Sequence, residues 1–162
     1  MELDVQALIR AAAAAREAAY APYSRFRVGA AVLADGRTFT GCNVENASFG
    51  LTICAERAAV FAAVAAGARR VEAIALVTDA AAPTPPCGAC RQVLHEFGPD
   101  ALVITASLAG TTAMHRLAEL LPDSFGPENL DPDRQPGWAS RGQPERSEES
   151  CSGHRDSSLR SG

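Results

Sequence analysis

Three cysteines and one glutamate have the residue types and spacing for metal chemistry: Cys54-Ala55-Glu56, and further on Pro86-Cys87-Gly88-Ala89-Cys90. Three thiolates can fill three corners of a zinc tetrahedron and leave the fourth for water, while a carboxylate two residues from one ligand is placed to move that water's protons. Cys87 and Cys90 lie three apart at a predicted helix start, so both thiolates face the same way, and Cys54 opens another helix. Both helix N-termini would then point at one metal. Three thiolates on zinc(II) leave a net negative charge, which opposes polarisation of water. Unpaired N–H groups in the first turns, with the positive ends of the macrodipoles, draw charge off the sulfurs. Taken alone, Glu56 could instead cap the first turn of its helix, where acidic residues are common.

A closed four-thiolate site that also used Cys42 would make a structural module, not an enzyme. Against it, Cys42 and Cys54 are separated by 11 residues and only Cys87 and Cys90 form a close pair. Such a site would also have no use for Glu56. Cys42 reads better as a buried apolar thiol at a strand end, and Cys151 as a free exposed thiol.

These blocks resemble the zinc-dependent cytidine deaminases of the small, three-cysteine type, in which zinc-activated water replaces the amine of cytosine. The resemblance extends to Ala21-Pro22-Tyr23-Ser24, to Phe26-Arg27-Val28-Gly29-Ala30-Ala31, to Gly41-Cys42-Asn43-Val44-Glu45-Asn46-Ala47 and to Ser124-Phe125-Gly126-Pro127-Glu128. It covers roughly residues 3 to 130. It implies one zinc per chain on Cys54, Cys87 and Cys90, with Glu56 as proton shuttle and Arg57 touching the cysteine sulfurs. It implies that Asn43 and Glu45 bind the ribose hydroxyl, that Phe26 packs on the pyrimidine and that the Ala55 N–H meets the base carbonyl. Amide and carboxylate suit a hydroxyl as donor and acceptor. Without the resemblance, Asn43 and Glu45 read as an ordinary polar loop and Phe26 equally well as a core residue.

Phe49 and Phe125 match aromatics that complete a neighbouring subunit's pocket; Phe49 stands where a tyrosine is frequent, so a phenolic hydrogen bond is missing there. The implied reaction is hydrolysis of cytidine and deoxycytidine to uridine and deoxyuridine with release of ammonia, in pyrimidine salvage, by a homotetramer. A deaminase of a cytosine-containing antibiotic shares the scaffold, and the Asn43 and Glu45 pair argues for ribose.

The elements that must hold these residues follow from local pattern. An alanine-rich helix over 4–19 is stopped by Pro22. A strand over 25–33, an Asp35-Gly36 turn and a strand over 38–42 form a hairpin. Residues 54–66 are a helix apolar on nearly every face, which hints that another subunit covers the side the sheet does not. A strand over 73–77, a helix over 87–97 halted by Gly98-Pro99, a strand over 102–105 and a last helix over 114–121 complete the order. Helix, hairpin, then β-α-β-α-β predicts an α/β domain over 1–130, its mixed or largely parallel sheet sandwiched by helices.

At 162 residues, 47% hydrophobic and 21% charged, the chain fits one globular domain with a real core. No apolar run approaches the ~18 residues of a membrane span, and no signal peptide pattern is visible, so a cytoplasmic protein without membrane partners is expected. In a reducing cytosol the five cysteines read as ligands or buried thiols, not disulfides. A net charge of −4 provides no basic face for phosphates, and no glycine-rich phosphate loop occurs, so free nucleoside is expected and nucleic acid is not. After Leu130 the chain turns to Pro, Gly, Ser, Arg and Glu, too polar to offset the entropy of ordering, and 131–162 reads as a disordered tail.

Overall fold

The structure, a computed structural model, describes residues 3–130, so the expected tail over 131–162, with Cys151, lies outside the described residues. The chain opens with α1, Val5–Arg16, started by Asp4, whose carboxylate accepts the Ala7 N–H at 2.8 Å. The helix ends earlier than its alanine run, leaving turns before Pro22. The hairpin is formed by β1, Val28–Ala34, and β2, Arg37–Cys42. Its turn residues have φ of 47° at Asp35 and 69° at Gly36, the paired positive values that a two-residue type I′ connection demands.

After the hairpin come a short 3₁₀ turn, Phe49–Leu51, and α2, Ala55–Ala65, which leads into β3, Val71–Thr78. Next are α3, Gly88–Phe97, and the strands β4, Leu102–Ser107, and β5, Thr112–Arg116. Two four-residue helices, α4 (Leu117–Leu120) and α5 (Pro127–Leu130), close the described chain. The helix predicted over 114–121 is corrected here. Its first half is strand, because Thr112–Arg116 runs antiparallel along β4 with Met114 opposite Ile104, and pairing overrides helix propensity.

The sheet is mixed, in the order β2-β1-β3-β4-β5. Only β3 and β4 are adjacent and parallel; the other neighbours are antiparallel. Both helical crossovers still join parallel strands. β1 lies between β2 and β3 and opposes each, so those two run the same way although they do not touch.

Helices cover both faces. On one, Leu8 and Ala12 of α1 pack on Ala31, Ala73, Ala75, Val77 and Ile104. On the other, Ala59, Val60 and Ala63 of α2 and Leu94 of α3 pack on Ala30, Val32, Ile74, Leu76 and Val103. The alternation along β1 sends even positions to α2 and odd positions to α1, as the two-residue period requires. Covered on both sides, β3 is buried along nearly its whole length.

Glycine sets the spacing of α2. A Cβ on Gly41 would stand 2.7 Å from the Ala55 carbonyl oxygen and 2.9 Å from the Ala58 carbonyl carbon. Only a residue without a side chain lets the first turns of α2 lie this close to β2. Away from the sheet, Phe61, Ala62, Ala65 and Ala66 leave an apolar stripe of α2 exposed.

Candidate active site

The residues that carry the chemistry meet at the C-terminal end of β3, where the N-termini of α2 and α3 converge. Cys54 is the N-cap of α2 and Cys87 that of α3, and neither helix has a side-chain hydrogen bond at its cap. The first amides of each helix have no partner inside it. Cys90 sits in the first turn of α3 and is fully buried. The Sγ atoms of Cys54, Cys87 and Cys90 all lie within 4.8 Å of one another. A tetrahedral zinc with Zn–S bonds of about 2.3 Å separates its sulfurs by about 3.8 Å, so one ion fits this donor set.

Hydrogen bonding from Cys90 holds the Cys54 thiol down to about 5, against the cost of its burial and with help from Arg57. The same bond to Cys54, with burial, pushes the Cys90 thiol up. A cluster that carries a thiolate before any metal arrives is already part-way to the deprotonated state that binding requires. Arg57 Nη2 lies 3.6 Å from Cys54 Sγ and donates to the Thr52 carbonyl at 3.3 Å. Arg91 braces the other end, donating from Nε to the Pro86 carbonyl and from Nη1 to the Leu120 carbonyl, each at 2.7 Å.

Cys42 takes no part. Its Sγ donates to the Ala18 carbonyl at 3.4 Å, and the metal-competent group among the described residues is limited to the three other cysteines. The four-thiolate alternative therefore fails on geometry.

Glu56, 6% exposed, lines a cavity of about 310 Å³ together with Cys54 and Cys87. Burial raises its pKa above the ordinary carboxylate value, its own backbone N–H opposes the rise, and the Cys54 thiolate adds to it. A buried acid opening onto a cavity beside three sulfurs differs from the solvated carboxylate of an ordinary first helical turn.

The same cavity is lined by Phe26, Asn43 and Glu45. Asn43 is pinned by the chain it faces: its Oδ1 accepts the Val28 N–H at 2.9 Å and its Nδ2 donates to the Phe26 carbonyl at 2.8 Å. One Nδ2 hydrogen and one Oδ1 lone pair remain free. The Glu45 carboxylate accepts the Tyr23 N–H at 2.8 Å and the Ser24 N–H at 3.2 Å, and bonding to Ser24 holds its pKa below the ordinary value. Ala55, first residue of α2, lines the cavity too, with its N–H unclaimed by the helix.

Phe49 and Phe125 do not line this cavity. Phe49 is 74% exposed, edge-on to Tyr23 at 5.8 Å between ring centroids, and Phe125 is 58% exposed. Sequence reasoning passed over Thr78, Thr84 and Pro85, which close the cavity on the side of the β3–α3 loop. The signal for Thr78 was available, since ligands in α/β sheets collect at the carboxyl ends of the strands.

The family model of the cytidine and deoxycytidylate deaminase zinc-binding region matches residues 2–106 of this chain. The chain belongs to the zinc-dependent cytidine deaminase family. A cytidine deaminase of Halalkalibacterium halodurans is 52% identical over 130 residues, 79% of this chain and 98% of that one. The crystal structure of cytidine deaminase from Burkholderia pseudomallei superposes with a TM-score of 0.73 at 53% identity, covering 76% of this chain and all of the other. That of Mycobacterium tuberculosis gives 0.68 at 47% identity, over 77% of this chain and 99% of the other. The α/β fold with helices on both faces is thus the cytidine deaminase fold, and the three-cysteine cluster lies within the span that matches the family's zinc-binding region.

Proposed function

We propose that the chain hydrolyses cytidine and deoxycytidine to uridine and deoxyuridine, releasing ammonia, in pyrimidine salvage. The observation that carries this reading is a buried carboxylic acid, Glu56, opening onto the same cavity as a sulfur cluster that fits one zinc. Cys54, Cys87 and Cys90 would hold the zinc, whose chemistry when bound would be to polarise the attacking water.

Glu56 would carry the proton of the attacking water to N3 of the cytosine ring and later protonate the departing amine. Its raised pKa suits both directions, because it can hold a proton between the two transfers. Arg57, 3.6 Å from Cys54 Sγ, would draw charge from that sulfur and so temper the negative charge of a bound metal's ligands. Phe26 packs on the base, the Ala55 N–H meets the base carbonyl, and the free donor and acceptor of Asn43, with the charged Glu45, take the sugar hydroxyl.

The exposed apolar stripe of α2 around Phe61 and the exposed rings of Phe49 and Phe125 support assembly as a homotetramer in which neighbours complete each pocket. No helix among the described residues is long and apolar enough to cross a membrane, in keeping with a cytoplasmic enzyme. Loss of cytosine absorbance when purified zinc-loaded protein meets cytidine tests the activity. A metal-loaded protein inert toward cytidine and deoxycytidine rejects it.

A further inference from the structure

One carboxylate outside the metal cluster, Asp79, ties together the strand ends that border the cavity without lining it. The β1–β3 ladder ends at the pair Val28 and Thr78. One residue further, the Asp79 N–H still donates to the Arg27 carbonyl at 3.3 Å, but the return bond is not made by the Asp79 backbone. The Arg27 N–H donates instead to the Asp79 carboxylate, at 3.0 Å from Oδ2. The side chain replaces the ladder carbonyl. The backbone of β3 is thereby released into the loop toward Cys87 while the strand opposite stays held.

The carboxylate is itself held. Arg16, 3% exposed at the end of α1, donates from Nη2 to Asp79 Oδ1 and from Nη1 to Glu17. The Arg27 guanidinium reaches Glu17 at 3.2 Å and Asp79 Oδ2 at 3.5 Å. Three segments distant in sequence, the end of α1, the entry to β1 and the exit from β3, thus meet at one acidic side chain.

Arg27 stands between Phe26 and Val28, and all three of Phe26, Val28 and Thr78 line the cavity. Asn43 holds the same stretch through the Phe26 carbonyl and the Val28 N–H. Residues 26–28 are therefore gripped from both flanks, by Asn43 and by Asp79. They need the grip, because the preceding Arg25 has φ of 59°, a left-handed conformation that is strained for a residue with a side chain and persists only when its surroundings enforce it.

We infer that Asp79 is a positioning residue for nucleoside binding: clamped by Arg16, it fixes the backbone that presents Phe26 to the base and Asn43 to the sugar. The inference rests on reading this cavity as the cytidine pocket. It places the effect on binding, not on proton transfer, since Asp79 is no part of the cavity lining and Glu56 stands on another element.

The test compares wild type, Asp79→Asn and Asp79→Ala, each with measured zinc content, melting temperature, kcat, KM for cytidine and the inhibition constant of uridine. Asp79→Ala is expected to raise KM and the uridine constant together by about tenfold, the scale of one charge-assisted hydrogen bond, with kcat within about threefold and zinc retained. Asp79→Asn keeps an oxygen for the Arg27 N–H but loses the charge that Arg16 grips, and is expected midway, about two- to fourfold above wild type.

A folded Asp79→Asn enzyme with wild-type KM overturns the inference, and does so even where Asp79→Ala does not fold. Loss of kcat at unchanged KM, or an Asn variant no better than a folded Ala variant, overturns it equally. A zinc-loaded wild type that does not act on cytidine defeats the reading of the pocket and this inference with it, before any variant is compared.

Discussion

Replacing Gly41 with alanine tests whether the closeness of α2 to β2 sets the chemistry. The new Cβ would stand 2.7 Å from the Ala55 carbonyl oxygen and 2.9 Å from the Ala58 carbonyl carbon, where ordinary van der Waals contact begins at 3.4 Å. These obstacles are backbone atoms, so no rotamer change relieves them and the helix itself must move by several tenths of an ångström to about 1 Å. Overpacking of this kind costs about 1 to 3 kcal/mol, and about 2 kcal/mol lowers the melting temperature of a domain this size by about 6 °C.

The displaced turn of α2 is the one that carries Cys54, Ala55 and Glu56. A shift near 1 Å between a proton carrier and its reacting atoms costs about a hundredfold in rate. Gly41→Ala should therefore show a drop in kcat of ten- to a hundredfold along with the loss of melting temperature, read by absorbance assay and thermal scan. Gly29→Ala is the matched comparison, since its Cβ meets the backbone of α1, 2.8 Å from the Arg16 Cα. It should destabilise comparably yet spare kcat, because α1 carries no metal ligand, with its kinetic loss falling on KM through Arg16. Equal kcat losses in the two variants, or a Gly41→Ala enzyme with wild-type rate and melting temperature, would refute the reasoning.

Other outcomes follow from single contacts. Arg57→Ala removes the cation 3.6 Å from Cys54 Sγ and should lower kcat by about tenfold at unchanged zinc stoichiometry; an undiminished rate rejects the tempering of sulfur charge. Cys42→Ala loses only a weak thiol bond to Ala18, so zinc content and turnover should match wild type, and any loss of metal would restore the four-thiolate reading. For Asp79, burial pushes the pKa up, but the Arg16 hydrogen bond, the Arg27 N–H and both guanidinium charges outweigh it and leave it below the ordinary value. A depressed folded pKa contributes stability that is complete above the unfolded value of about 3.9 and lost as pH falls through the lower folded one. Urea denaturation should then find Asp79→Asn weaker than wild type at pH 7 and the gap narrowing below about pH 4; a gap that widens in acid contradicts the assignment.

Local signals carried much of this protein in its sequence. The spacing of Cys87 and Cys90 with Cys54 beside Glu56 was enough to assemble the cluster, because each motif lies at a helix start whose geometry is local. Asp35-Gly36 marked the hairpin for the same reason. Met114 to Leu121 misled because its composition favours helix, whereas the strand there exists only through its partner β4. The parallel crossovers were readable, but not that β1 would slip between the strands they join. Least legible was Asp79, a lone acid after a strand whose partners Arg16 and Arg27 lie 63 and 52 positions away.

The account stands most directly on zinc stoichiometry measured beside cytidine turnover for wild type and for Glu56→Gln. Three sulfurs holding the metal and one acid moving the protons predict one zinc per chain in both proteins and a rate lowered by at least about a thousandfold in the variant. A Gln variant that retains near-normal turnover, or that loses its zinc, contradicts the division of labour between the cysteines and Glu56.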